Sequence, residues 1–349
     1  MKLVTRCFLT ITVLSVCQIS FAQNQTADEK VTISNENVKS TISEKSTDKS
    51  VIKFDDTRDI VWTSDFQLVE IESSKDQAIQ KAYFHKTKSK ETQPLIVSLH
   101  TWSGDYSQRD ELAAICNQKD LNYIHPDFRG ANVISSACCS ELALTDIDDA
   151  IGFAIQNGHV NLDEIYIIGV SGGGYATLAT YMKSKYHIKK FSAWASISDL
   201  TAWYQESTIR GNKYAKNILD CTNSGLELKE ENARKKSPLF MSGPIKSREN
   251  AELHIFAGIY DGIQGSVPIT HSINFYNKLL TDLSVKDKSK YVSDSEKLQL
   301  LESRRPLTEL GTIAGRKICL KKEYGSIKLT IFEGNHEMLT DFALNELLE

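Results

Sequence analysis

A serine hydroxyl is barely ionised at neutral pH, so it attacks a carbonyl only with a base in hydrogen-bond reach and an acid that orients the base. Three residues far apart in the chain have the types and settings for those roles: Ser171, Asp261 and His336. Ser171 stands in Gly169-Val170-Ser171-Gly172-Gly173, a G-x-S-x-G pattern. The run before it, Glu164 to Val170, is largely apolar and β-branched, and Tyr175 and Ala176 can lead a helix out of it. A serine on such a strand-to-helix corner takes a strained backbone, so the residues two before and two after it must lack side chains, as Gly169 and Gly173 do. The competing reading, a phosphate-binding glycine loop, lacks the lysine and hydroxyl residue of G-x-x-x-x-G-K-[ST], and the glycines are wrongly spaced for G-x-G-x-x-G.

Asp261 follows the strand-like Leu253 to Ala257 and has Gly258 and Gly262 around it, which let a carboxylate turn inward. Asp199, after Ser196-Ile197-Ser198, is the competing acid, but it opens a helical stretch and is equally explained as a helix N-cap. His336 lies in Glu333-Gly334-Asn335-His336, beyond the last strand-like run. Of the other seven histidines, His100 and His125 precede the nucleophile, His85 falls ahead of the sheet's core, His159 and His187 sit in polar surface contexts, His254 is inside a strand and His271 is on a helix. An oxyanion formed on attack by Ser171 needs two preorganised N–H donors. Gly172 supplies one; the second is expected from Trp102 in the loop His100 to Asp105, with Thr101 as the alternative.

The elements that must position these residues alternate. Phe66 to Ile71 and Gln80 to His85 form a leading antiparallel pair. Buried strands are expected at Leu95 to Leu99, Leu121 to Ile124, the run into Ser171, Phe191 to Ile197, Leu253 to Ala257 and Ile327 to Phe332. Helices fall at Ser107 to Lys119, Glu141 to Gln156, Ser171 to Lys185, Val267 to Leu280 and Met338 to Leu348. This rhythm predicts right-handed βαβ units, an α/β fold with a mostly parallel sheet and helices on both faces. Residues 198–249 break it without a strand candidate and read as a small helical cap. Residues 281–310 read as a polar surface excursion.

At 349 residues with a net charge of −4, the chain gives no electrostatic reason to expect nucleic acid. Lys2 and Arg6 precede an apolar run, and Ser20-Phe21-Ala22 places small residues at the positions a signal peptidase inspects. Residues 1–22 are therefore expected to be a signal peptide, 23–52 a disordered linker poor in large apolar residues, and 53–349 the catalytic domain, exported to periplasm or medium. A lipoprotein signal at Cys17 is the competing reading, weakened by bulky Val16. The apolar run is shorter than the ~20 residues of an integral span. Five of the seven cysteines follow the signal, and Cys138 with Cys221, on loops above the sheet, is the expected disulfide. No cluster has metal-ligand spacing, and no metal or organic cofactor is expected.

The segments Leu99 to Asp105, His125 to Gly130, Gly169 to Ala176, Ala257 to Val267 and Glu333 to His336 together resemble the catalytic domain of prolyl-oligopeptidase-type serine hydrolases and the related dienelactone-hydrolase-like and acetyl-xylan-esterase-like enzymes. Asp261 followed by Val267-Pro268 and Ser272 is a particular likeness. The resemblance covers roughly residues 60–349 and implies the α/β-hydrolase fold, with Ser171 as nucleophile, Asp261 as orienting acid and His336 as base. Family peptidases bear an N-terminal β-propeller, where this sequence has only the linker, and no double-glutamate segment for a peptide's free amine is seen. The leading expectation is thus an ester hydrolase removing a small acyl group, such as acetyl, from a small-molecule or glycan substrate. Trp102, Trp194, Trp203 and Tyr204 motivate the glycan, since sugar rings pack on aromatic faces. The alternatives are a peptidase acting on short peptides and an inactive binding protein on the same scaffold.

Overall fold

Along the run into the corner, Ile165 and Ile167 pack into one apolar cluster while Tyr166 and Ile168 pack into another. Both faces of this strand are covered, which is the condition for an interior parallel strand. The computed structural model describes residues 62–349 except 244–247, 249 and 307. The expected signal peptide, Cys17 and the linker lie outside the described residues.

In chain order the strands are β1 (Gln67–Glu72), β2 (Ile79–His85), β3 (Gln93–Leu99), β4 (Asn122–Pro126), β5 (Val160–Val170), β6 (Lys190–Trp194), β7 (Glu252–Gly258), β8 (Thr312–Ile313), β9 (Arg316–Tyr324) and β10 (Ile327–Phe332). They form one sheet in the order β1-β2-β4-β3-β5-β6-β7-β10-β9-β8. The central six, β4 to β10, are parallel, with antiparallel pairs at either side. Helices α2 (Glu141–Asn157), α3 (Gly172–Lys183) and α7 (Thr270–Asp282) cover one face through Ile147, Leu178 and Ile273; α1 (Glu111–Gln118) and α9 (Thr340–Leu348) cover the other through Leu112 and Leu344. Between β6 and β7 the described residues hold three α-helices, a short 3-10 turn at Pro238–Phe240 and no strand: α4 (Leu200–Ile209), α5 (Tyr214–Cys221) and α6 (Glu230–Lys235). This is the α/β-hydrolase fold with its helical cap.

The differences from expectation have local causes. Strand β6 stops at Trp194 because Ala195 turns to a φ of 46°. The surface excursion contains α8 (Asp294–Ser303), started by a capping box in which Ser293 and Glu296 satisfy each other's backbone N–H groups. Strand β9 was not anticipated; only Ile318, Cys319 and Leu320 are buried among its charged neighbours. Cys138 and Cys221 are joined, their Cα atoms 6.2 Å apart, but Cys221 closes helix α5 rather than lying on a loop. Cys116, Cys139 and Cys319 are free and buried.

Candidate active site

Because β3, β5, β7 and β10 run parallel, the segments that leave them emerge at one rim of the sheet, and these carry Trp102, Ser171, Asp261 and His336 respectively. At the corner after β5, Ser171 has φ 58° and ψ −117°, a region costing a non-glycine residue about 1–3 kcal/mol. Its N–H donates to Trp194 O at 2.9 Å, anchoring the corner to β6. Ser171 is the N-cap of α3, yet its side chain makes no capping bond; the hydroxyl is held at a helix N-terminus without being consumed by it. The close approach that permits this needs Gly169, where an added Cβ would fall 2.4 Å from the backbone of Gly173.

Asp261, 1% exposed, accepts from its own loop and from the imidazole. Its Oδ1 accepts from the N–H of Gly262 at 2.8 Å and of Val267 at 3.0 Å, and its Oδ2 accepts from His336 Nδ1 at 2.7 Å. A carboxylate can only accept here, so the imidazole proton sits on Nδ1 and Nε2 is the basic nitrogen. Asp199 instead caps α4, accepting from Thr201 N–H at 2.8 Å and Ala202 N–H at 3.3 Å. Gly265 packs between acid and base: a Cβ there would fall 2.3 Å from Asp261 Oδ1 and 2.4 Å from His336 Cβ.

Gly172 lies against the loop after β3, and a Cβ on it would come within 2.1 Å of Trp102 N. The backbones of the two expected oxyanion donors therefore touch. Thr101 N–H is engaged elsewhere, donating to Gln108 Oε1 at 2.9 Å, which favours Trp102 of the two expected candidates. The brace by Gln108 carries no sequence signal beyond a polar residue at the start of a helix, and was not anticipated.

The prolyl oligopeptidase family matches residues 109–295, more than half of the chain. The chain belongs to that family. An acylaminoacyl peptidase from Pyrococcus horikoshii has 19% identity and a TM-score of 0.54, over 82% of this chain and 41% of its own. A puromycin-hydrolyzing peptidase from Mycobacterium tuberculosis has 13% identity and a TM-score of 0.51, over 81% of this chain and 37% of that one. An acylaminoacyl peptidase in complex with Z-Gly-Gly-Phe-chloromethyl ketone has 23% identity and a TM-score of 0.50, over 63% of this chain and 35% of that one. The chain thus spans about two fifths or less of these relatives' length. No curated protein matches it.

In this member of the prolyl oligopeptidase family, the matched region holds Ser171, Asp261 and the cap; Trp102 and His336 lie outside it. The indoles expected to stack on sugar point elsewhere. Trp194 is buried and stacks on Phe256, and Trp102 and Trp203 are each 1% exposed, meeting edge-on with ring centroids 4.7 Å apart. Helix α4 is tied to the Asp261 loop: Trp203 Nε1 donates to Ser266 O at 2.9 Å and Arg210 to Gly265 O at 3.1 Å. Behind the site, burial pushes the His100 pKa down, and that of His125 down to about 4 against the pull of Asp110. Among the described residues no helix is long and apolar enough to cross a membrane, and no three His, Cys, Asp or Glu side chains could hold a metal ion.

Proposed function

We propose that this protein is a serine peptidase acting on short peptides or aminoacyl amides through a Ser171 acyl-enzyme. The observation that carries this is the Asp261–His336 pair, a carboxylate with every bond directed and an imidazole fixed in one tautomer, on the rim where Ser171 is lifted from the sheet. Ser171 Oγ attacks the substrate carbonyl as His336 Nε2 takes its proton, and the oxyanion is held by the N–H groups of Gly172 and Trp102. The C–N bond then breaks, and His336 returns the proton to the leaving amine. That protonation is what an amide requires and an activated ester does not, and a base oriented by a buried carboxylate supplies it. Water repeats the sequence on the acyl-enzyme.

Family membership supports the peptide substrate over the glycan ester, whose motive was three indoles that are buried and Tyr204, which is half-buried; small esters should still turn over, because they share the acyl-enzyme. The catalytic unit is proposed to be residues 53–349. Export is proposed from the N-terminal pattern together with the Cys138–Cys221 bridge, since disulfides persist in oxidising compartments.

Purified protein should be assayed on aminoacyl nitroanilides, short acylated peptides, nitrophenyl acetate and acetylated xylan. The expected outcome is amide cleavage that vanishes in Ser171→Ala and falls by about 10⁴-fold in Asp261→Asn. Ester turnover without any amide cleavage would overturn the peptidase reading. Unchanged turnover in Ser171→Ala would overturn the site, and failure of a fluorophosphonate to label wild-type Ser171 would favour an inactive binding protein.

A further inference from the structure

Trp102 is held at its two flanking peptides. All described peptides are trans, so a carbonyl and the following N–H point in opposite directions. The Thr101 carbonyl, which shares its peptide with Trp102 N–H, accepts from Gly104 N–H at 3.1 Å, with His100 Nδ1 2.9 Å away. Pinning that oxygen turns Trp102 N–H the other way. The next carbonyl, of Trp102 itself, accepts from Asn132 N–H at 2.8 Å.

Asn132 is 1% exposed, on the loop between β4 and α2. Its Oδ1 accepts from Cys138 N–H at 2.8 Å, closing the loop on itself, and its Nδ2 lies 3.5 Å from Trp102 O. Cys138 takes a left-handed φ of 57° and is bonded to Cys221 at the end of α5. Its carbonyl accepts from Tyr175 OH at 2.9 Å, one turn along the helix that Ser171 begins. Helix α5 also reaches Trp102 by a second route, because Tyr214 stacks on Trp203 with centroids 4.8 Å apart and Trp203 meets the Trp102 ring.

We propose that Asn132 is a positioning residue of the oxyanion hole, and that the Cys138–Cys221 bridge, by fixing the loop that Asn132 closes, lets the cap set the aim of Trp102 N–H. This rests on Ser171 being the nucleophile with Gly172 and Trp102 as donors. It assigns a catalytic consequence to a disulfide that touches no substrate. Deleting an oxyanion donor outright costs roughly 100-fold or more in turnover; misaiming one should cost less.

The test is the rate at which a fluorophosphonate labels Ser171, since phosphonylation also develops charge on an oxygen facing the hole and needs no knowledge of the natural substrate. Asn132→Ala, with the bridge intact, should label roughly tenfold more slowly than wild type, and on any amide substrate found kcat should fall with KM unchanged. Cys221→Ser should show the same kind of loss. The double variant should be no slower than Asn132→Ala, because both changes interrupt one path. Wild type that does not label sinks the nucleophile itself. Wild type that labels, with Asn132→Ala labelling at the wild-type rate, overturns the proposal and leaves the nucleophile standing. Should Cys221→Ser fail to fold, Asn132→Ala still decides. A Cys221→Ser variant with a lower melting temperature but wild-type labelling would make the bridge structural only, overturning its part.

Discussion

The settings of Ser171, Asp261 and His336 were legible in the sequence: glycines around a corner serine, and a carboxylate and an imidazole on loops after buried strands, which the fold joins as the Asp261–His336 contact. Gly265 was not legible, since its meaning lies in the space between two side chains that meet only in the fold. Gly265→Ala keeps all three functional groups but drives a methyl between acid and base; kcat should fall by roughly 100-fold, as a 1 Å misplacement can do, while circular dichroism stays unchanged. His125 makes a different prediction. It is 1% exposed and its pKa lies at about 4, below its ordinary 6.5, so the folded state holds it neutral while the unfolded chain protonates it. Its share of stability is complete above pH 6.5 and is lost as pH falls towards 4, to the extent of about 3 kcal/mol. Urea midpoints measured across that window should decline, and His125→Phe, placed among Trp62 and Tyr123, should flatten the decline.

Strands β3, β5, β7 and β10 could be read from the sequence because burial on both faces leaves runs that are mostly apolar, interrupted by such residues as Ser98, His254, Lys328 and Thr330. Strand β9 could not, because an outer antiparallel strand needs only one apolar stretch, here Ile318 to Leu320, and its charged flanks resemble a loop. The cap was legible only as an interruption of the βαβ rhythm. Which helix of it matters is a tertiary fact: α4 reaches across to the Asp261 loop through Trp203 and Arg210. Trp203→Phe keeps an aromatic ring beside Trp102 and Tyr214 but removes one donor from Ser266 O. Loss of that partly buried bond should cost about 1–3 kcal/mol, read as a lower urea midpoint at unchanged slope. Turnover should fall as well, since the loop that carries the acid is loosened.

The parallel core makes the molecule polar in a geometric sense: strand carboxyl ends gather the chemistry at one rim, and strand amino ends stand at the other. The alternation of strands and helices announced this arrangement, whereas the order of the strands within the sheet is a tertiary fact. Lys190 opens β6 at the amino rim, and its Nζ donates to Glu346 O at 2.7 Å, within the closing helix α9. The far end of β6, Trp194, is where Ser171 N–H is anchored. Helix α9 therefore carries residue 349 to the rim opposite Ser171. A reporter protein or a resin linkage attached through residue 349 should leave kcat/KM at its wild-type value, which a comparison of free and immobilised enzyme would measure, and molecules arrayed on a surface through that residue would present the Ser171 rim outward in one orientation.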